Sequence, residues 1–174
     1  SNIVYMGMGE PLMNYNNLIK SIEKISSDKG LNMSQKRIVV STSGIPKMIK
    51  KLADENLKVN LALSLHSAIE ETRNKIMPFS KKFSLDEIKD SLIYWYFKTK
   101  RKITFEYIVW KDINDSLDHI NALVNLACVL KDSGNSKQAE KFLKDALEIN
   151  PIYDFALTNL GAVLNDLEKF DEGE

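Results

Sequence analysis

The sequence predicts an α/β fold built on a parallel sheet, followed by an all-α helical hairpin. Three observations carry this reading. Over the first 115 residues, four short apolar runs alternate with segments of helical period. Each run ends in a polar or glycine-rich cluster, and the ends of parallel strands are where open sheets and barrels collect ligand groups. From about residue 120 the strand pattern stops, and residues begin to recur at an offset of 34.

The elements follow in order. Ile3-Val4-Tyr5-Met6 reads as a strand that ends at Gly7-Met8-Gly9-Glu10-Pro11. Two glycines there let the backbone approach a ligand closely, Glu10 supplies an acceptor for an ammonium group, and Pro11 fixes the departing chain; a structural turn has the same composition. A helix follows, with Asn14 as its cap and Leu18, Ile22 and Ile25 on one stripe. Ile38-Val39-Val40 is the second strand and ends at Ser41-Thr42-Ser43-Gly44. Pro46 suits the first turn of the next helix, which buries Ile49 and Leu52. Val59 to Leu63 is the third strand and ends at Ser64-Leu65-His66. An irregular stretch runs through Met77-Pro78. Ser84 and Glu87 then have the spacing of a capping box, ahead of a helix carrying Leu85, Ile88, Leu92 and Trp95. Lys102 to Val109 is the fourth strand and ends at Ile113-Asn114-Asp115. Alternation at this pace requires right-handed crossovers and parallel pairing, in either an open doubly wound sheet or a barrel. Within the fourth strand, Thr104 and Glu106 share one face, opposite Phe105 and Tyr107.

After Ser116 the pattern is helical. Ala122-Leu123 recurs as Ala156-Leu157, Asn125-Leu126-Ala127 as Asn159-Leu160-Gly161, and Val129-Leu130 as Val163-Leu164. Ala139, Leu143, Ala146 and Pro151 stand where tetratricopeptide units place small, large, small and closing proline residues. The region resembles one tetratricopeptide repeat and about two-thirds of a second, with Gly173 where alanine is usual. Ser116 to about Asp132 should form one uninterrupted helix, because no Gly or Pro breaks its apolar stripe.

Composition narrows the function classes. The net charge is zero, yet residues 1–119 carry 19 Lys+Arg against 14 Asp+Glu, and residues 120–174 carry 5 against 10. That asymmetry suggests two segments with different partners. Lys98, Lys100, Arg101 and Lys102, with Lys81 and Lys82 upstream, form either a phosphate-facing patch or a solvated helix end. No apolar run is long enough to span a membrane, and the N-terminus does not read as a signal peptide; it lacks Met, as a processed or truncated start would. The single cysteine, Cys128, excludes a disulfide framework or an all-cysteine metal site within this sequence and fits a reducing, cytoplasmic setting.

Five segments in order carry a more specific message. They are Met6-Gly7-Met8-Gly9-Glu10-Pro11-Leu12, Arg37-Ile38-Val39-Val40-Ser41-Thr42-Ser43-Gly44, Leu61-Ala62-Leu63-Ser64-Leu65-His66, Ile103-Thr104-Phe105-Glu106-Tyr107 and Ile113-Asn114-Asp115. Together they resemble the radical S-adenosylmethionine adenine-C2 methyltransferases, of the dual-specificity type that modifies ribosomal and transfer RNA. The resemblance covers about residues 2–120. It implies an incomplete parallel (β/α) barrel over 1–119, with the tetratricopeptide hairpin over 120–174. It also implies S-adenosylmethionine contacts at Gly9, Glu10, Ser41, Ser64, Leu65, His66 and Asn114, and it implies RNA as substrate; strand alternation makes Glu106 a candidate for the barrel interior, with the opposite face equally open to it.

The departures from that family are equally specific. Its members hold a [4Fe-4S] cluster on a CxxxCxxC loop and use two further cysteines, one methylated and one resolving. This sequence offers ligands for none of these, and Cys128 reads as a packed core thiol on the first repeat helix. The expectation is a fragment that keeps much of the S-adenosylmethionine pocket and is inactive alone. The alternatives are a protein-interaction module built on the repeats, or a truncated, fused or engineered chain with no selected function.

Overall fold

The computed structural model describes residues 2–132 and 134–171; Gly173, singled out in the second repeat, lies outside them. The chain divides into two compact units. The first runs to Leu65 and resumes over Arg73–Tyr107, and the second takes His66–Thr72 and the chain from Ile108 onward.

The first unit is built on four strands, β1 (Ile3–Tyr5), β2 (Ile38–Thr42), β3 (Asn60–Ser64) and β4 (Ile103–Glu106), in the spatial order β1-β2-β3-β4. All three pairings are parallel, as the strand–helix alternation requires. The register aligns Tyr5 with Val40, Ser41 with Ala62 and Ser64 with Glu106. Consecutive positions Leu61, Ala62 and Leu63 are all buried, so β3 is covered on both faces, as parallel sheets are. β4 is shorter than the 102–109 expected, because its partner β3 ends at Ser64 and leaves the backbone beyond Glu106 without a ladder. β1 likewise stops at Tyr5, whereas β2 gains Ser41 and Thr42 because both pair with β3.

The helices of this unit are α1 (Tyr15–Ser26), α2 (Pro46–Asp54) and α4 (Leu85–Thr99); α3 (Glu70–Ile76) is a short helix after β3. Leu18 and Ile22 of α1, Ile49 and Leu52 of α2, and Ile88, Leu92 and Trp95 of α4 are buried, on the stripes the periodicity indicated. Pro46 occupies the first turn of α2. The capping box forms in full: Ser84 Oγ accepts from the Glu87 amide, and the Glu87 carboxylate accepts from the Ser84 amide at 2.9 Å. Asn14 does sit at the cap position of α1, but its side chain caps nothing and instead accepts from Asn17 Nδ2. The reason is a 3-10 turn at Pro11–Asn14 that runs straight into α1; the capping task passes to Glu10, whose Oε1 accepts from the Leu12 amide.

Gly44 is required by both backbone and space. Its φ is +94°, and a Cβ there would lie 3.0 Å from Ile88 Cδ1 and 3.1 Å from Leu63 Cδ1.

The second unit contains α5 (Leu117–Asp132), α6 (Ser136–Ile149) and α7 (Asp154–Asp171). α5 is continuous, as expected from Ser116 to Asp132. Its buried apolar stripe begins at Ile120, beside the buried His119, since Leu117 is largely exposed. α6 packs against α5 and α7. Ala127, Ala139, Ala146 and Ala156 have no exposed surface, which fits small side chains where helices approach closely. Cys128 corrects the core-thiol reading: it is half-buried, and its Sγ donates to Asn159 Oδ1 at 3.2 Å. Its position on α5 turns it toward α7 rather than into the packed stripe. No helix among the described residues is long and apolar enough to cross a membrane.

His119 of α5 is buried, with Nδ1 3.4 Å from Ser67 Oγ, and burial pushes its imidazolium pKa below the ordinary 6.5. Folding therefore favours the neutral ring. Above about pH 6.5 both folded and unfolded rings are neutral, and the contribution is fully present; as pH falls through and below that value the unfolded chain binds the proton first and stability declines. Urea midpoints should fall more for the wild type than for His119→Gln between about pH 7.5 and 5. Equal declines would show that His119 does not carry this dependence.

Candidate ligand site at the strand ends

Sequence places Glu10, Ser41 and Ser64 just beyond apolar strand bodies, and the sheet register brings their side chains to one edge of the first unit. Gly9 has φ +107°, a conformation that favours glycine, and lets the chain turn out of β1. Gly9 and Glu10 line an open groove of about 670 Å³ that runs along Tyr5, Met6 and Gly7.

The Glu10 carboxylate is heavily engaged. Oε1 accepts from the Leu12 amide and from Thr42 Oγ1 at 2.8 Å; Oε2 accepts from the amide and hydroxyl of Ser43, both at 2.7 Å. Four donors match the capacity of a carboxylate. Glu10 thus ties the end of β1 to the end of β2.

Glu106 does the same between other strands. Its Oε2 accepts from Ser41 Oγ and from Ser64 Oγ, each at 2.8 Å. The face inferred for Glu106 from strand alternation is therefore the face that carries the two serines. Leu65 is buried with its backbone engaged, the amide donating to the Glu106 carbonyl at 2.9 Å and the carbonyl accepting from Arg73.

Sequence reasoning did not find Arg73. It is 1% exposed, and its guanidinium donates to the carbonyls of Ser43 at 2.6 Å, Leu65 at 3.1 Å and Ser64 at 3.3 Å. Thr42 and Ser43 were also read only as part of a polar cluster. Nothing in spacing marks Arg73, since its three acceptors are backbone groups on two other segments.

In the second unit, Asn114 is fully buried. Its Nδ2 donates to the carbonyls of His66 at 2.7 Å and Ile108 at 2.9 Å, and its Oδ1 accepts from the Trp110 amide at 2.6 Å. Both amide protons are thereby engaged in organising the loop. His66 has φ +57°, uncommon for a non-glycine residue, and its ring meets the Trp110 ring edge-on at 5.5 Å.

The known proteins that this chain resembles agree with one another. It is 66% identical over 124 residues to a probable dual-specificity RNA methyltransferase RlmN of Flavobacterium psychrophilum, covering 71% of this chain and 36% of the relative. The protein of the same name from Christiangramia forsetii is 53% identical over 167 residues, 87% of this chain and 47% of the relative. A crystal structure of a radical SAM methyltransferase from Sphaerobacter thermophilus superposes with a TM-score of 0.68 at 35% identity, covering 74% of this chain and 37% of that one.

The chain is similar, over most of its length, to radical S-adenosylmethionine methyltransferases.

Residues 120–153 additionally match the tetratricopeptide repeat family model, where the 34-residue offset was read. The fold is accordingly that of a parallel (β/α) sheet of the radical S-adenosylmethionine methyltransferase type, followed by tetratricopeptide helices. The chain spans about a third to a half of the length of the curated relatives it matches.

That kinship implies two groups, S-adenosylmethionine and an iron–sulfur cluster, and the residues treat them differently. The Glu106 carboxylate and the Ser41 and Ser64 hydroxyl oxygens at the ends of β2 to β4 suit a ligand rich in hydroxyl and ammonium donors, whereas the Glu10 carboxylate is already filled by four protein donors. The cluster does not fit: the sequence has one cysteine, and no grouping of three or more His, Cys, Asp or Glu among the described residues can hold a metal ion.

Proposed function

We propose that this chain is an S-adenosylmethionine-binding part of a radical S-adenosylmethionine RNA methyltransferase, and that it does not catalyse methyl transfer alone. The observation that carries the reading is the convergence of Glu10, Ser41, Ser64 and Glu106 on the ends of four parallel strands, at motif positions that resemble that family. Gly9 gives the ligand a close backbone approach. Glu10 contributes negative charge and holds Thr42 and Ser43 in place. Ser41, Ser64 and the Leu65 segment supply the polar wall. For His66 and Asn114 the ligand assignment stands on the resemblance alone. On the same ground the substrate class is ribosomal and transfer RNA, the family portion is 1–119 and the repeat portion 120–174.

S-adenosylmethionine, when bound, supplies the methyl group and the sulfonium; this chain's residues bind and orient it. Affinity should be weak, because the groove that Gly9 and Glu10 line is open and does not include Ser41, Ser64 or Glu106, so polar contacts to the ligand are poorly desolvated. Calorimetry at millimolar S-adenosylmethionine should give a binding isotherm for the wild type and a flat trace for a Glu10→Ala, His66→Ala double variant, with thermal melts confirming that the variant is folded. Identical traces would remove the ligand from this reading.

A second reading, a protein-interaction module, is favoured by the tetratricopeptide match and by Val129, Phe155 and Leu157, which stand exposed on α5 and α7. It is compatible with the first, since it uses other residues.

A further inference from the structure

Ser41 and Ser64 each own a single hydroxyl proton. Both protons point to the same atom, Glu106 Oε2, at 2.8 Å. The serine oxygens therefore offer only lone pairs to anything that arrives at the ends of β2 and β3. Among the described residues no hydrogen bond reaches the other carboxylate oxygen, Glu106 Oε1, and Glu106 is only half-buried. The cluster is thus three acceptors under one negative charge. Hydroxyls left to themselves can donate or accept; here the carboxylate decides.

We propose that Glu106 is a positioning residue that fixes the polarity of this cluster. By holding Ser41 and Ser64 as acceptors, it makes the strand ends receive the donor-bearing groups of the ligand and turn away its carboxylate. The inference rests on the S-adenosylmethionine reading above. That ligand carries two kinds of donor, ribose hydroxyls and an ammonium group, and both have the required chemistry. Ser41 lies opposite Ala62, two residues short of Ser64 on the neighbouring strand, yet both hydroxyls lie 2.8 Å from the same carboxylate oxygen, which keeps them close enough to receive either a pair of adjacent hydroxyls or one ammonium.

The test is a calorimetric comparison of S-adenosylmethionine with two analogues, one lacking the 2′ and 3′ hydroxyls and one lacking the amino group. For the wild type, one analogue should bind about 10-fold or more weakly, as expected for a hydrogen bond to a charged group; which one does so names the donor. Glu106→Gln replaces Oε1 by an amide donor and removes the charge, so it should bind the parent less tightly and lose the discrimination against that analogue. Ser41→Ala combined with Glu106→Gln should be less than additive in affinity, since both remove one cluster. A purely packing role for Glu106 would lower stability and leave the preference between analogues intact.

Three outcomes overturn the proposal. Wild type that binds the parent and both analogues alike removes the polarity argument and leaves the S-adenosylmethionine reading standing. Glu106→Gln that keeps the wild-type preference does the same. Wild type that does not bind the parent removes that reading, and this inference with it. If Glu106→Gln does not fold, the Ser41→Ala, Ser64→Ala variant takes its place: it should lose the same discrimination, and retaining it would count against the proposal.

Discussion

Changing Arg73 to Met should cost about 3–5 kcal/mol of stability, enough to unfold a marginal domain. The side chain is 1% exposed and donates to the carbonyls of Ser43, Ser64 and Leu65. Methionine fills similar volume and offers no donor. Three carbonyls would lose their partner in a region closed to water, and each such loss costs about 1–3 kcal/mol before relaxation. Arg73→Lys should fall between, because one ammonium cannot match the planar fork that spans the ends of β2 and β3. Urea unfolding monitored by the fluorescence of Trp95 and Trp110 measures both. A midpoint within error of wild type for Arg73→Met would mean that the carbonyls find other donors.

The second large effect is an absence. After anaerobic reconstitution with iron and sulfide, this 174-residue chain should carry no stoichiometric iron and show no charge-transfer absorption. Holding a [4Fe-4S] cluster with one site open needs three thiolates, and the chain has Cys128 alone. That thiol is half-buried on α5 and bonded to Asn159, without a second sulfur to share a metal. General acid–base chemistry by Glu10 or His66 typically supplies about 10²–10⁴-fold and does not activate an aromatic carbon. Treated ribosomal and transfer RNA should therefore contain no methyladenosine when this chain is the only protein. Methylated product would show that another source of radical chemistry reaches the site.

Much of the fold was legible. Alternation of apolar runs with helical segments gave β1 to β4 and their parallel pairing, since short connections through helices leave no other pairing. The 34-residue offset gave α5, α6 and α7, and Ser84 with Glu87 gave the start of α4. What misread was local. Asn14 has the composition of a cap, but the preceding 3-10 turn moved the task to Glu10. β4 was drawn too long, because a strand ends where its neighbour ends, and the sequence of one strand does not contain the length of the next.

For the candidate site, sequence alone determined which residue types stand at the strand ends: Gly9, Glu10, Ser41, Ser64, Leu65 and His66 follow apolar runs, and a strand of known direction puts them on the same edge. It determined as well that one cysteine cannot hold a cluster. Tertiary structure decided what those residues do. Glu10 accepts four protein donors, Asn114 gives both amide protons to carbonyls of its own unit, and Ser41 and Ser64 donate to a carboxylate 65 and 42 residues away. The physical reason is that a hydroxyl or amide has no fixed role until a neighbour takes its proton. That neighbour is set by strand order and register, and for Arg73 it is the backbone of other segments, which no side-chain pattern records.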